Sequence, residues 1–86
     1  MPRYALDMKP SAQKELEGLS DSLIARLAPK IDGLAADPRP SGCRKLHGYK
    51  DLWRIRVGDY RVVYMINDDR KMVSVTRVAH RREVYE

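Results

Sequence analysis

The run Trp53-Arg54-Ile55-Arg56-Val57-Gly58-Asp59-Tyr60-Arg61-Val62-Val63-Tyr64 constrains this chain more than any other. It reads as two β-strands joined by a tight Gly-Asp turn, because apolar residues alternate with others at a period of two on either side. Trp53, Ile55 and Val57 fall on one face of the first strand; Leu52, Arg54 and Arg56 fall on the other. The apolar set packs on helices, which leaves two arginines on the opposite face. Successive same-face residues lie roughly 6.6 Å apart along a strand, so the strand is expected to present two guanidinium groups side by side. Arg61 enters the next strand just past the turn and adds a third.

The remaining segments supply what such a hairpin packs against. Tyr4-Ala5-Leu6-Asp7-Met8 is a short alternating strand with Tyr4, Leu6 and Met8 on one face. Pro10 suits a first helical position, and a helix is predicted from about Pro10 to Leu19. Ser20-Asp21-Ser22 is a stop and a new N-cap. Ile24, Leu27, Ala28, Ile31, Leu34 and Ala35 then follow the i, i+3, i+4, i+7 template of a second helix. Pro29 conflicts with it, since an interior proline costs roughly 3 kcal/mol and kinks a helix. A bend between Ala25 and Pro29, or two short helices, is the expectation. Asp37-Pro38-Arg39-Pro40-Ser41-Gly42 is a loop by its breakers. Arg44 to Asp51 is a basic lead-in with partly extended character. Strands follow at about 52–57, 60–67 and 72–79, with Asn67-Asp68-Asp69-Arg70 as the second turn. In the last strand Val73, Val75, Arg77 and Ala79 share one face, and Met72, Ser74, Thr76 and Val78 the other. Short turns imply an antiparallel meander. The predicted fold is α+β, in the order β-α-α-β-β-β, with a helical hairpin packed on a small, mostly antiparallel sheet.

Eighty-six residues make one domain, which buries only somewhat over ~60% of its unfolded surface. A single cysteine, Cys43, cannot form an internal disulfide and favours a reducing compartment. Met1-Pro2-Arg3-Tyr4 lacks the apolar region of a signal peptide, and no apolar run approaches the ~20 residues of a membrane span. A cytoplasmic protein without membrane association is expected. Its net charge of +5 is unevenly placed: residues 1–40 hold six Lys/Arg and six Asp/Glu, whereas residues 41–86 hold eleven and six. The excess lies in the sheet-forming half, which suggests a polyanionic partner, nucleic acid first.

Several chemistries lack their residues. There is no Gly-rich phosphate loop, no CxxC pair and no HExxH, and neither His47 nor His80 stands among metal ligands. No metal or cofactor is expected. Cys43 reads as a small loop residue, without a base beside it. The basic set remains: Arg54, Arg56, Arg61, His80 and Arg81, with Tyr85 close behind. Arginine stays protonated and grips phosphate bidentately, so it can stabilise a pentavalent phosphorane but cannot be a general base. Proton transfer would fall to His80, imidazole being suited to it near neutral pH, or to Tyr85 with a cationic neighbour such as Arg81. Arg44, Lys45, Lys50, Arg77 and Arg82 extend the basic surface as candidate RNA contacts, Arg82 also being near Glu83 and Glu86. Trp53, Tyr60 and Tyr64 read as core; Tyr49 reads as a loop anchor or a base-stacking residue.

The blocks Leu46-His47-Gly48, Trp53 to Tyr64 and Val78-Ala79-His80-Arg81-Arg82-Glu83-Val84-Tyr85 resemble the RelE branch of the RelE/ParE toxin superfamily. Ala12-Gln13-Lys14-Glu15-Leu16 and Asp37-Pro38 fit as well, so the resemblance covers nearly the whole chain. It implies the RelE-like microbial ribonuclease fold and a toxin paired with a cognate antitoxin. It also implies metal-independent cutting of mRNA in the ribosomal A site, by attack of the RNA 2′-hydroxyl on the adjacent phosphate. Carried over by motif, Arg54 and Arg56 match the paired basic positions, Arg61 the arginine after Gly-x-Tyr, Arg81 the tail arginine and Tyr85 the tail tyrosine. The best-known member has lysines where Arg54 and Arg56 stand here, which shifts any proton step toward His80. Some relatives continue past this point into another helix, so Tyr85 is expected near a fraying end. Two other functions remain open on the same fold: a ParE-like inhibitor of DNA gyrase, and a non-catalytic relative that binds RNA or antitoxin.

Overall fold

The computed structural model describes residues 3–46, 48 and 51–83. Its elements run β1 (Ala5–Met8), α1 (Pro10–Glu17), α2 (Asp21–Gly33), β2 (Arg44–Lys45), β3 (Leu52–Val57), β4 (Tyr60–Asn67) and β5 (Met72–His80). A 3-10 turn, Arg81–Glu83, closes the described chain. The predicted α+β architecture is the one found, with one short strand added in the basic lead-in.

The five strands form one sheet in the order β1-β5-β4-β3-β2. β3, β4 and β5 are an antiparallel meander, and β1 joins it parallel to β5, with Ala5 opposite Met72 and Met8 opposite Val75. The β3–β4 connection has two residues. Gly58 at its first position has φ +60, as the twist-matched type II′ turn requires.

Ser20 caps α2 as its sequence position predicts, accepting a hydrogen bond from the Leu23 N–H at 3.3 Å. Pro29 does not split the helix: α2 runs uninterrupted from Asp21 to Gly33. The apolar stripe of that helix explains why. Leu27 and Ile31 are buried, as is Leu34 just beyond, and fully burying one such side chain contributes about 1.5–3 kcal/mol. Two or three of them outweigh one proline.

Ala12, Leu27, Ile31 and Leu34 from the helical layer meet Ile55, Val62, Tyr64, Ile66, Val73, Val75 and Val78 from the sheet in one core. In β5 the simple alternation of the sequence reading fails. Tyr64 stands opposite Val75 and Val63 opposite Arg77, so Thr76 is an extra residue on β5, a β-bulge. Beyond it the faces exchange. Val78 enters the core, and Arg77 and Ala79 move to the face away from the helices, where the sequence reading had grouped them with Val73 and Val75.

Candidate nucleic-acid interface

The helix-free face of the sheet carries the arginines. Arg56 and Arg61 are directly opposite one another across the Gly58-Asp59 turn, and Arg61 lies opposite Ala79 of β5. Directly opposed residues in an antiparallel pair have Cβ atoms about 4.5–5.5 Å apart, and like charges so placed repel. Arg56 is exposed and Arg61 half-buried. Val63 and Ala79 share this face and are 4% and 3% exposed, yet they stand outside the helix-facing core. Val63 lies between Arg54 and Arg77 in the register, so this small apolar floor is flanked by arginines.

Arg81 arrives at the same end of the sheet by a backbone latch. Its N–H donates to the Asp59 carbonyl at 2.7 Å, and its guanidinium lies 3.9 Å from the Asp59 carboxylate, both side chains being more than half exposed. Such an exposed pair contributes about 0–1 kcal/mol, so the guanidinium can exchange Asp59 for a phosphate at small cost. Arg26 of α2 reaches the same turn: a Cβ on Gly58 would lie 3.0 Å from its guanidinium. Asp59 and Arg26 were not among the predicted site residues. The sequence signal for both is the Gly58-Asp59 turn, read there only as a turn.

Arg54 departs from its predicted place. It is 1% exposed, not one of two guanidinium groups side by side on an open face. The cause is β2, which pairs Arg44 with Arg54 and Lys45 with Trp53 and brings the preceding turn over the Arg54 side chain. That turn is closed by the Cys43 N–H donating to the Pro40 carbonyl at 3.0 Å. Gly42, at φ +89, offers its carbonyl to the Arg54 guanidinium at 3.3 Å. A hollow of about 330 Å³ remains here, lined by Ser41, Gly42, Arg44, Arg54, Ile55 and Arg56. Arg54 is its floor, and Arg44 and Arg56 are its exposed walls.

His80 lies opposite Tyr60 in the register, on the helix-facing side, not with Arg56 and Arg61. Its ring meets Tyr60 edge to face, 5.5 Å between centroids and at 79°. Its Nδ1 accepts the Arg82 N–H at 3.2 Å, which places the proton of the neutral ring on Nε2. The lone pair that could accept a proton is therefore the one already engaged. Arg82 and Lys45 are exposed. Arg77 is held by Glu15 of α1 at 2.8 Å, and this neighbour raises the pKa of its guanidinium. Lys50 and Tyr85, with His47 and Tyr49, lie outside the described residues. Among the described residues no three His, Cys, Asp or Glu side chains converge in a manner that would hold a metal ion.

The opposite end of the sheet is charged too, but its charges are neutralised. Arg39 forks onto Asp68 at 2.9 and 3.3 Å, Tyr4 Oη donates to the same carboxylate at 2.6 Å, and the Arg39 guanidinium lies 5.0 Å from the Trp53 ring centre. The hydrogen bonds from Arg39 and Tyr4 hold the Asp68 carboxyl down at about 2. Nearby, the buried Tyr64 hydroxyl donates to the Pro38 carbonyl at 2.7 Å, and burial raises its pKa.

Fold and face together define a small basic α+β domain with arginines gathered on one side of its sheet. Comparison with known proteins narrows this. Residues 6–85 match the family model described as the ParE toxin of type II toxin-antitoxin system, parDE. The chain is 33% identical over 86 residues to the mRNA interferase toxin RelE of Escherichia coli K12, covering 95% of this chain and 90% of that protein. Among solved structures, the archaeal RelE-RelB complex from Pyrococcus horikoshii OT3 contains a chain that matches with a TM-score of 0.81 at 29% identity, over 98% of this chain and all of that one. A chain of the intact Escherichia coli RelBE toxin-antitoxin complex matches with a TM-score of 0.78 at 30% identity, over 90% and 95% of the two chains. The protein belongs to the RelE/ParE superfamily and is a RelE-like toxin of a type II toxin-antitoxin system. No helix among the described residues is long and apolar enough to cross a membrane.

Proposed function

We propose that this toxin is an endoribonuclease that cuts mRNA in the ribosomal A site without a metal ion, and that a cognate antitoxin restrains it by covering the basic face. The observation that carries this reading is the convergence of Arg56, Arg61 and Arg81 at one end of the helix-free sheet face. The RNA 2′-oxygen attacks the adjacent phosphorus and the bond from phosphorus to the 5′-oxygen breaks. The products are a 2′,3′-cyclic phosphate and a 5′-hydroxyl, which takes up a proton as the 2′-hydroxyl loses one. Negative charge builds on the non-bridging oxygens in the transition state, where fixed guanidinium groups stabilise it most. Arg56 and Arg61 fill this role from the strands and Arg81 from beyond them. Arg44 and Lys45 extend the grip along the RNA. His80 and Tyr85 are the candidate proton carriers, His80 after its Nδ1 releases the Arg82 amide.

The names of the related proteins support the reading: the Escherichia coli relative is an mRNA interferase, and both structural neighbours are toxin-antitoxin complexes. Primer extension on an mRNA, with and without 70S ribosomes, tests it beside Arg81→Ala. Breaks that need ribosomes and vanish in the variant are expected. Intact mRNA with folded protein, together with loss of gyrase supercoiling, would transfer the toxin to a gyrase target. Breaks without ribosomes would make it a free ribonuclease.

A further inference from the structure

β1 covers only part of the edge of β5. Their pairing ends at Met8 and Val75, with a last bond from the Lys9 N–H to the Val75 carbonyl at 2.8 Å. Past Val75 no strand among the described residues lies beside that edge of β5, and an unpaired strand edge is a liability that proteins cover. Here α1 covers it with one side chain. Glu15 accepts the Val78 N–H on Oε1 at 2.9 Å and the Arg77 guanidinium on Oε2 at 2.8 Å. The other terminal nitrogen of Arg77 donates to the Glu83 carbonyl at 3.3 Å, and the Glu83 carboxylate stands 3.7 Å from the nitrogen that holds Glu15. One chain of contacts thus runs from α1 through the end of β5 to the last residue of the 3-10 turn.

Arg81 belongs to that turn. The turn is anchored at its start by Arg81 N–H on Asp59 and at its finish by Arg77 on Glu83. We propose that Arg77, held by Glu15, is a positioning residue: it fixes the turn that carries Arg81 into the site and does not itself contact phosphate. Both terminal nitrogens of Arg77 are engaged, one on Glu15 and the other on Glu83, so a phosphate would have to compete with these contacts for its fork. This inference rests on the endonuclease reading, and it replaces the RNA-contact role that the sequence suggested for Arg77.

The test pairs kinetics with a measurement that needs no RNA. Cleavage on programmed ribosomes is followed for Arg77→Ala, Arg77→Lys and Glu15→Gln, each alone and with Arg81→Ala. Glu15→Gln keeps an acceptor for the Val78 N–H and so guards against simple unfolding. Arg77→Ala should lower the rate at saturation about tenfold through misplacement of Arg81, with the half-saturating concentration unchanged. Arg77→Lys should recover part of that loss. In the Arg81→Ala background, Arg77→Ala should add less than about a twofold effect, as residues acting through one another do. A raised half-saturating concentration with a salt slope flatter by about 0.7 would make Arg77 a phosphate contact and overturn the inference, as would full additivity with Arg81→Ala. Independently, amide hydrogen exchange should quicken about tenfold at Val78 and residues 81–83 in Arg77→Ala, while residues 60–66 stay protected. Unchanged exchange overturns the inference even if the protein cleaves RNA. If the wild-type protein cuts nothing, the endonuclease reading falls, and exchange alone decides whether Arg77 holds the turn.

Discussion

The two ends of the sheet use arginine in opposite ways. At the end bearing Tyr4 and Asp68, Arg39 is matched by a two-pronged carboxylate and an aromatic ring. At the end bearing Gly58, Arg56 and Arg61 face one another across two strands, and Arg81 meets Asp59 only at 3.9 Å. The first arrangement ties down a loop. The second gathers basic side chains where two strands meet their turn, the feature on which the proposed function draws. An arginine's work in this fold is read from where its strand or loop places it, not from its residue type.

That contrast can be broken from either side. The largest effect is expected at the Gly58 end. Arg61→Ala and Arg81→Ala should each lower ribosome-dependent cleavage about 10²–10³-fold, the loss typical of one missing transition-state partner. Their urea midpoints should move by no more than surface substitutions usually do, about 0.5 kcal/mol. A large stability loss with intact cleavage would reverse the assignment of the two ends. Arg39→Ala should do the opposite and leave the cleavage rate alone.

Arg54 stands between the two regimes, being basic-face in register but 1% exposed. Arg54→Ala should cost about 1–3 kcal/mol, because a fully buried side chain is removed together with its hydrogen bond to the Gly42 carbonyl. Arg54→Leu refills that space and should recover part of the loss in the same urea titration. Equal stability of all three proteins would mean that the turn above Arg54 opens freely. Gly42→Ala probes that turn with a smaller change. At φ +89 a side chain is strained by about 1–2 kcal/mol, and Arg54 and Arg44 should shift with it.

The smallest expected effect is acid-dependent. Asp68 has its pKa lowered from 3.8 to about 2, so its contribution to stability is complete above about pH 4 and is lost as pH falls toward 2. Thermal melts of the wild type and of Asp68→Asn between pH 5 and 2 should converge at the acid end. Curves that remain parallel would remove Asp68 from the latch.

Strands β3 and β4 were legible to the residue because their signal is local: alternation on both sides of a two-residue turn. The Ser20 cap was legible for the same reason. What was not legible depends on contacts far apart in the chain. The burial of Arg54 comes from a two-residue strand that has no pattern of its own. The exchange of faces in β5 comes from one extra residue, Thr76, which a period-two reading cannot register. Pro29 was read as a bend or a division into two short helices; the helix is not divided, because the packing of Leu27, Ile31 and Leu34 overrides the local preference. At the site, Arg56 and Arg61 were singled out from the strand pattern and Arg81 from the basic tail, while the contacts of Asp59, Gly42 and Glu15, made through carbonyls and carboxylates, carry no signal in the sequence.

The parallel pairing of β1 with β5 has a consequence for how the toxin comes into being. The β3-β4-β5 meander closes through short turns and can form quickly, but the outer strand must find residues 72–75 from almost the other end of the chain. During synthesis, that partner leaves the ribosome long after β1 does. The hairpin carrying Arg56 and Arg61 is therefore complete before the domain is, and the contact between Glu15 and Arg77 must wait for the strand that bears Arg77. The edge of β5 that receives both β1 and Glu15 is thus completed after the basic hairpin has formed.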